Sequence, residues 1–228
     1  MKIYVGEKLL NFSDQQLSKM FLDEGKEGRV YRYGDDVLKI YHEKRIKQRL
    51  DEENSIRFSQ IPTKRILLPE KMIYAEDKTT FIGYTTPYID KKDPRTVIDV
   101  NMGKFLEELD IINEDLIMLA NNNAYILDFH IKNFLYDGKF YMGDPGSHTF
   151  TNDATFKELY NHNTYYLSLF IISLISQSMS IWGEDFKVFS RSFDHWEYIG
   201  DQMRKNVKKK ETVKQYVKRM VGANKANY

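Results

Sequence analysis

The hydrophobic period changes part-way along this chain, and that change limits the fold more than any other feature. Lys19-Met20-Phe21-Leu22, Arg29-Val30-Tyr31-Arg32-Tyr33 and Val37-Leu38-Lys39-Ile40-Tyr41 read as short strands, with Gly34-Asp35-Asp36 as a hairpin turn. Breaks at Gly25 to Gly28 and at Gly34 make them an antiparallel meander. The spacing of Ile46, Leu50, Glu53, Ile56 and Phe58 then predicts a helix from Glu43 to Ile61, stopped by Pro62. Strands return over residues 71–75 and 80–89, joined by the polar turn Glu76-Asp77-Lys78. Asp90-Lys91-Lys92-Asp93-Pro94 has the make-up of a hinge between lobes. Beyond it, helical periodicity governs residues 102–120, 163–181 and two amphipathic stretches within 184–221. One hairpin interrupts it, with Asn133-Phe134-Leu135-Tyr136 and Phe140-Tyr141-Met142 flanking Asp137-Gly138-Lys139. The pattern is α+β in two lobes, strand-rich over residues 1–90 and helix-rich over 91–228.

Composition supports a packed fold. With 42% hydrophobic and 14% aromatic residues in 228, the chain can fill a core, which excludes a disordered or fibrous polymer. No cysteine is present, so disulfides, Cys-ligated zinc and thiol catalysis are excluded and a reducing, cytoplasmic setting is expected. Residues 1–8 lack the features of a signal or transit peptide, and the longest apolar run, Tyr165 to Ile175, is broken by Ser168 and Ser173, so no membrane partner is expected. Lys+Arg number 34 against 33 Asp+Glu, a net charge of +1 that gives no field strong enough to draw the whole molecule onto a polyanion. The distribution is uneven. From Asp201 to Tyr228 nine basic residues face two acidic ones, so the last segment carries +7 and the rest −6. A run of this kind, mixed with Val213, Tyr216 and Val217, reads as the solvated face of a helix or as a docking surface for an acidic partner or nucleic acid.

Two clusters carry chemistry. Gly25-Lys26-Glu27-Gly28 lies between strands, where glycine lets backbone N–H groups approach an anion, although an ordinary hairpin connection has the same make-up. Lys39 sits in the following strand with apolar neighbours, where an unpaired cation is costly, and Glu53 on the next helix is a plausible partner. The second cluster is Asp128-Phe129-His130-Ile131-Lys132-Asn133, followed after the hairpin by Asp144-Pro145-Gly146. Two carboxylates and an amide bracketing a hairpin suit Mg²⁺, a hard cation held by a few oxygens plus phosphate and water, while turn chemistry explains the same residues. Among the histidines, His130 has the position of a loop support, His148 lacks a second well-spaced histidine to make a metal site, and His42, His162 and His195 show no partner pattern.

The order of these parts resembles the protein kinase-like superfamily from about Phe21 to Ile175. The resemblance implies a two-lobed fold with a small antiparallel-sheet lobe carrying one helix and a mainly helical second lobe. It implies ATP and Mg²⁺ as cofactors. Gly25, Gly28 and Val30 match the phosphate-covering loop and the residue packed on adenine, Lys39 the phosphate-binding lysine, and Glu53, with Glu52 beside it, the lysine's helix partner. Pro87-Tyr88-Ile89 matches the segment whose backbone reads the adenine edge, Asp128 the catalytic aspartate, and Asn133 and Asp144 the metal-binding pair. The implied activity is transfer of the γ-phosphate of ATP to a hydroxyl, with Ser/Thr of a protein as acceptor; a small-molecule kinase and a nucleotide-binding pseudokinase regulator are the alternatives.

The departures narrow this. Ile126-Leu127-Asp128 replaces His-Arg-Asp, so no arginine stands ready for a phosphorylated activation loop. Asp-Phe-His-x-x-Asn is closer to the aminoglycoside, choline and ABC1-like kinases, the first loop glycine is replaced by Asp23, Asp-Pro-Gly stands for Asp-Phe-Gly, and no Ala-Pro-Glu follows. Asn163 falls where protein kinases carry a buried helix aspartate, which leaves a short activation segment and hence a small platform for a substrate.

Overall fold

The computed structural model describes residues 1–43, 50–127, 130–193 and 197–225. The chain divides into two compact units: residues 1–63, 67–89 and 144–149 form one, and 64–66, 90–143 and 150–228 the other.

Among the described residues of the first unit, seven strands make one antiparallel sheet in the order β2-β1-β6-β7-β5-β4-β3. The strands are β1 (Lys2–Val5), β2 (Lys8–Asn11), β3 (Phe21–Glu24), β4 (Gly28–Tyr33), β5 (Asp36–Tyr41), β6 (Met72–Ala75) and β7 (Phe81–Pro87). β1 shows why this sheet has a core face: Ile3 and Val5 are buried, while Lys2 is exposed and Tyr4 half-buried, the alternation that pleating imposes. Ile3, Val5, Leu10, Phe12, Tyr31, Leu38 and Ile73 form one buried cluster, each worth about 2 kcal/mol of apolar burial. Register follows from β4 against β5, with Val30 opposite Lys39 and Gly28 opposite Tyr41, and from β5 against β7, with Lys39 opposite Tyr84. A side chain at Gly28 has no room, because its Cβ would run into the carbonyl of Ile40.

The helical parts of this unit correct the sequence reading. Lys19 and Met20, expected to begin a strand, end helix α1 (Asp14–Met20), which a capping box of Ser13 and Gln16 nucleates. The hairpin of β1 and β2 has no counterpart in the sequence reading; Gly6, at φ 55°, supplies its turn. The helix expected from Glu43 runs as α2 (Glu52–Ser59), because Asp51 accepts the N–H of Asn54 at 2.8 Å and caps it there. Ile46, one of the residues that suggested the longer helix, lies outside the described residues.

The second unit is built on α3 (Met102–Asn121) and α4 (Phe156–Met179). Phe105, Leu109, Ile112, Leu116 and Leu119 of α3 are fully buried and recur at the spacing of one helix face. Leu167, Ile171, Leu174 and Ile175 give α4 its own buried stripe. α4 starts seven residues ahead of the expected Asn163, since Thr155 and Glu158 form a capping box. Strands β8 (Ala124–Tyr125), β9 (Phe134–Tyr136) and β10 (Phe140–Met142) follow α3, with β9 and β10 forming the expected hairpin. The region beyond 182 holds three helices among the described residues rather than two: α5 (Gly183–Ser190), α6 (Ile199–Arg204) and α7 (Val213–Lys225). Val213, Tyr216 and Val217 bury one face of α7, and the N–H of Val213 donates to the Val100 carbonyl at 3.0 Å.

Candidate active site

Lys39 is placed by β5, between Val30 on one side and Tyr84 on the other. Only 9% of the residue is exposed, so its ammonium needs compensation, and two carboxylates supply it. Glu27 accepts from Nζ at 2.8 Å, and Asp144, 105 residues away in sequence, forms the second ion pair. Glu53 does not: it is exposed on the first turn of α2, which begins only at Glu52. Glu52 in turn accepts a hydrogen bond from the Tyr74 hydroxyl at 2.7 Å. The expected helix partner of Lys39 is thus replaced by the loop carboxylate of Glu27.

Asp144 sits at φ 55°, ψ 71°, a left-handed conformation a non-glycine residue adopts at a cost, and its side chain reaches back toward the N–H of Gly146 at 3.4 Å. A Cβ at Gly146 would lie 2.7 Å from Glu27 Oε2, 3.1 Å from Lys39 Nζ and 3.2 Å from Asp144 Oδ1, so the glycine of Asp-Pro-Gly is what lets the three charges meet. Four residues on, His148 is buried, its Nδ1 without a hydrogen-bond partner among the described residues and its ring edge-on to Phe58 at 6.1 Å. Burial pushes its pKa down to about 4, with the Lys39 charge adding to the effect and Asp144 opposing it.

The glycine loop is a closed hairpin. Gly25 donates its N–H to the Gly28 carbonyl at 3.0 Å, His42 donates its own to the Glu27 carbonyl at 2.9 Å, and His42 Nε2 lies 3.1 Å from the Gly25 carbonyl oxygen. The Gly25 N–H is therefore engaged within the loop. Val30 is half-buried. In the segment expected to read adenine, Pro87 lacks an N–H, Tyr88 donates its N–H to the Asp35 carbonyl at 2.7 Å, and the Arg32 guanidinium lies 3.9 Å from the centre of the Tyr88 ring. Ile89 closes the segment, half-buried.

In the second unit, Asp128 and Phe129 lie outside the described residues, and so does His195. What leads into Asp128 is held firmly. Asn163, fully buried on α4, accepts the Ile126 N–H at 3.0 Å, and His162 Nε2 lies 3.1 Å from the Ile126 carbonyl oxygen. On the far side, His130 Nδ1 accepts the Lys132 N–H at 3.1 Å, Asn133 donates its N–H to the His130 carbonyl at 2.8 Å, and the Asn133 carbonyl accepts from Gly143 at 2.7 Å. The segment after Asp144 is short: a 3-10 turn over Pro145–Ser147, a brief extended pair at Thr149–Phe150, and α4 already under way at Phe156.

A third arrangement was not legible as a site residue. Asp115 on α3 is 1% exposed and accepts the backbone N–H groups of Lys64 (2.9 Å), Arg65 (2.6 Å) and Ile66 (2.9 Å). Glu108, two turns earlier on α3, pairs with Arg65 at 3.0 Å and accepts the Phe140 N–H at 3.1 Å. The basic end of the chain is partly neutralised: Arg204 pairs with Asp110 and Asp201, Lys205 with Glu197 and Arg219 with Glu211, while Lys208, Lys209, Lys210, Lys214 and Lys218 are exposed.

Against known structures, the chain is similar to the crystal structure of the Mycobacterium tuberculosis PknI kinase domain, at 13% identity over 88% of this chain and 92% of that one, with a TM-score of 0.53. A point mutant of the same domain gives 12% identity, coverages of 90% and 93%, and a TM-score of 0.50. The fold is protein kinase-like. No protein-family model matches the sequence, and no curated protein does. Sequence identity this low shows the fold alone. Among the described residues no helix is long and apolar enough to cross a membrane. No cluster of three or more His, Asp or Glu that could hold a metal occurs among them either. Mg²⁺ in a kinase-like site asks for less, one or two protein oxygens with phosphate and water completing the shell, and the partly exposed Asp144 carboxylate fits that need.

Proposed function

We propose that the chain is an ATP- and Mg²⁺-dependent phosphotransferase acting on a hydroxyl, with Ser/Thr of a protein as the acceptor. The observation that carries this reading is the ion pair of Lys39 and Asp144, which the kinase motif order assigns to phosphate and metal and which the first unit brings into contact. Lys39 neutralises the α- and β-phosphates. Asp144 and Asn133 would hold Mg²⁺, which supplies charge neutralisation on the phosphate oxygens. Val30, opposite Lys39 in register, lies on adenine, and in Pro87-Tyr88-Ile89 the N–H left for the adenine edge is that of Ile89. Asp128 orients the acceptor hydroxyl and takes its proton as the oxygen bonds to the γ-phosphorus and the bond to the β-phosphate oxygen breaks. The roles of Asp128 and Asn133 rest on the motif order, residue by residue.

A second reading, a small alcohol as acceptor, is favoured by the few residues, 145–155, that separate Asp144 from α4. Both are tested by incubating the protein with Mg·ATP and following γ-phosphate transfer by mass spectrometry, on the protein itself, on peptides and on small alcohols. Transfer that falls at least about a hundredfold in Asp128→Asn, the scale of a general base, is expected. The class of acceptor labelled decides between the readings, and transfer undiminished in the variant rejects the role of Asp128.

A further inference from the structure

In the second unit, the turn between α6 and α7 and one face of α7 carry cations that the fold does not answer. Arg204, Lys205 and Arg219 have carboxylate partners, whereas Lys208, Lys209, Lys210, Lys214 and Lys218 are exposed and form no ion pair among the described residues. The one acidic residue between them, Glu211, is already engaged: its carboxylate accepts from Arg219 at 2.6 Å and from the Lys208 N–H at 2.5 Å. Arg219 also donates to the Asn206 carbonyl at 2.7 Å, and Met102 of α3 donates its N–H to the Glu211 carbonyl at 2.8 Å. The lysine turn is thereby tied to both α7 and α3. Lys210 within it sits at φ 67°, a conformation that favours glycine, so turn geometry alone does not call for a lysine there. Lys214 and Lys218 stand one helical turn apart, off the face of α7 that buries Val213, Tyr216 and Val217.

The make-up of this surface selects its partner. Protein interfaces are poor in lysine and rich in aromatic residues, and the aromatic residue of this stretch, Tyr216, is fully buried. Stable attachment to a membrane needs an apolar signal beside the charges, yet among the apolar residues of 207–217 only Val207 is exposed. Lysine ammoniums are point charges on flexible stems, which neutralise phosphates without demanding one geometry. We propose that Lys208, Lys209, Lys210, Lys214 and Lys218 bind the phosphate backbone of a nucleic acid without reading its sequence. The net charge of +1 on the whole chain keeps that binding in the weak, salt-sensitive range of backbone contacts.

Fluorescence anisotropy of a labelled DNA duplex of mixed sequence, titrated with the full chain at several salt concentrations between about 50 and 200 mM, tests this. Saturable binding is expected, with a Kd of about 1–100 µM at physiological salt and a slope of log K against log salt of about −4, the value for four or five phosphate contacts. Lys214→Gln with Lys218→Gln should bring the slope to about −2.5 and weaken binding at least about tenfold at the low-salt end. Lys19→Gln with Lys157→Gln removes two exposed lysines elsewhere in the sequence and should change affinity by less than about twofold. All four side chains are exposed, so the unfolding midpoints should stay together. Duplexes of unrelated sequence should bind alike. No saturable binding at the lowest salt, or an equal loss in the two double variants, overturns the proposal. Tighter binding at equal salt to polyglutamate, or to vesicles containing phosphatidylserine, overturns it in favour of an acidic protein or a membrane surface.

Discussion

Two carboxylates, Asp144 in the first unit and Asp115 in the second, are held in opposite ways. Asp115 is sealed from water and accepts three backbone N–H groups of residues 64–66. Burial pushes its carboxyl up and those three donors pull it back, so its environment is fixed by main chain. Asp144 is nearly half exposed, sits in a left-handed backbone conformation, and has a side-chain ammonium, that of Lys39, as its partner. A carboxylate satisfied by backbone has nothing left for a ligand. One satisfied by a shared ammonium can exchange partners. The contrast gives Asp115 an architectural place and leaves Asp144 able to take the binding role of the proposed function, although both are aspartates with close partners.

The largest expected effect breaks the architectural side. Asp115→Ala leaves buried or partly buried N–H groups of three consecutive residues without an acceptor, and urea unfolding should show a loss of about 3–4 kcal/mol. A loss under about 1 kcal/mol would mean that water or another group replaces the carboxylate.

How much of this was readable in the sequence differs between fold and site. Strands β4, β5, β6 and β7 and the helices α3 and α4 follow from period and punctuation, and the kinase-like order of motifs follows with them. The β1–β2 hairpin does not stand out by period, although Ile3, Val5 and Leu10 alternate around Gly6, and α1 and α4 begin where Ser13-x-x-Gln16 and Thr155-x-x-Glu158 form capping boxes. Local capping decided those boundaries where apolar spacing alone did not. In the site, the approach of Asp144 to Lys39 was legible from motif order, whereas Glu27 was not. Its contact depends on how the Gly25–Gly28 turn and His42 aim the loop, which no residue spacing encodes. Asn163 is legible by its position, and its bond to the Ile126 N–H gives that position a physical content: a buried amide holds the backbone at Ile126 without adding a charge.

The next effect sharpens the comparison on the first unit's side. His148 is buried and uncharged, with its pKa lowered from 6.5 to about 4 by desolvation. A histidine that binds its proton more weakly folded than unfolded costs stability as pH falls from about 6.5 toward about 4, where the unfolded chain takes up the proton first. The full shift corresponds to about 3 kcal/mol as an upper value. Stability measured across that range should therefore decline more steeply for wild type than for His148→Phe, in which the ring against Phe58 is kept and the titrating group removed. Parallel pH profiles for the two proteins would show that His148 reaches solvent.

The smallest expected stability effect carries the most functional weight. Lys39→Met removes the charge but keeps most of the packing, and the two carboxylates it leaves are partly exposed, so the loss should be about 1 kcal/mol or less. The measurement closest to the central claim is calorimetric titration of Mg·ATP into wild type and Lys39→Met side by side. Saturable binding by wild type, at least about tenfold weaker in a Lys39→Met protein of nearly the same unfolding midpoint, is the predicted result. Equal affinity in the two proteins would contradict the assignment of the Lys39, Glu27 and Asp144 cluster to nucleotide phosphate.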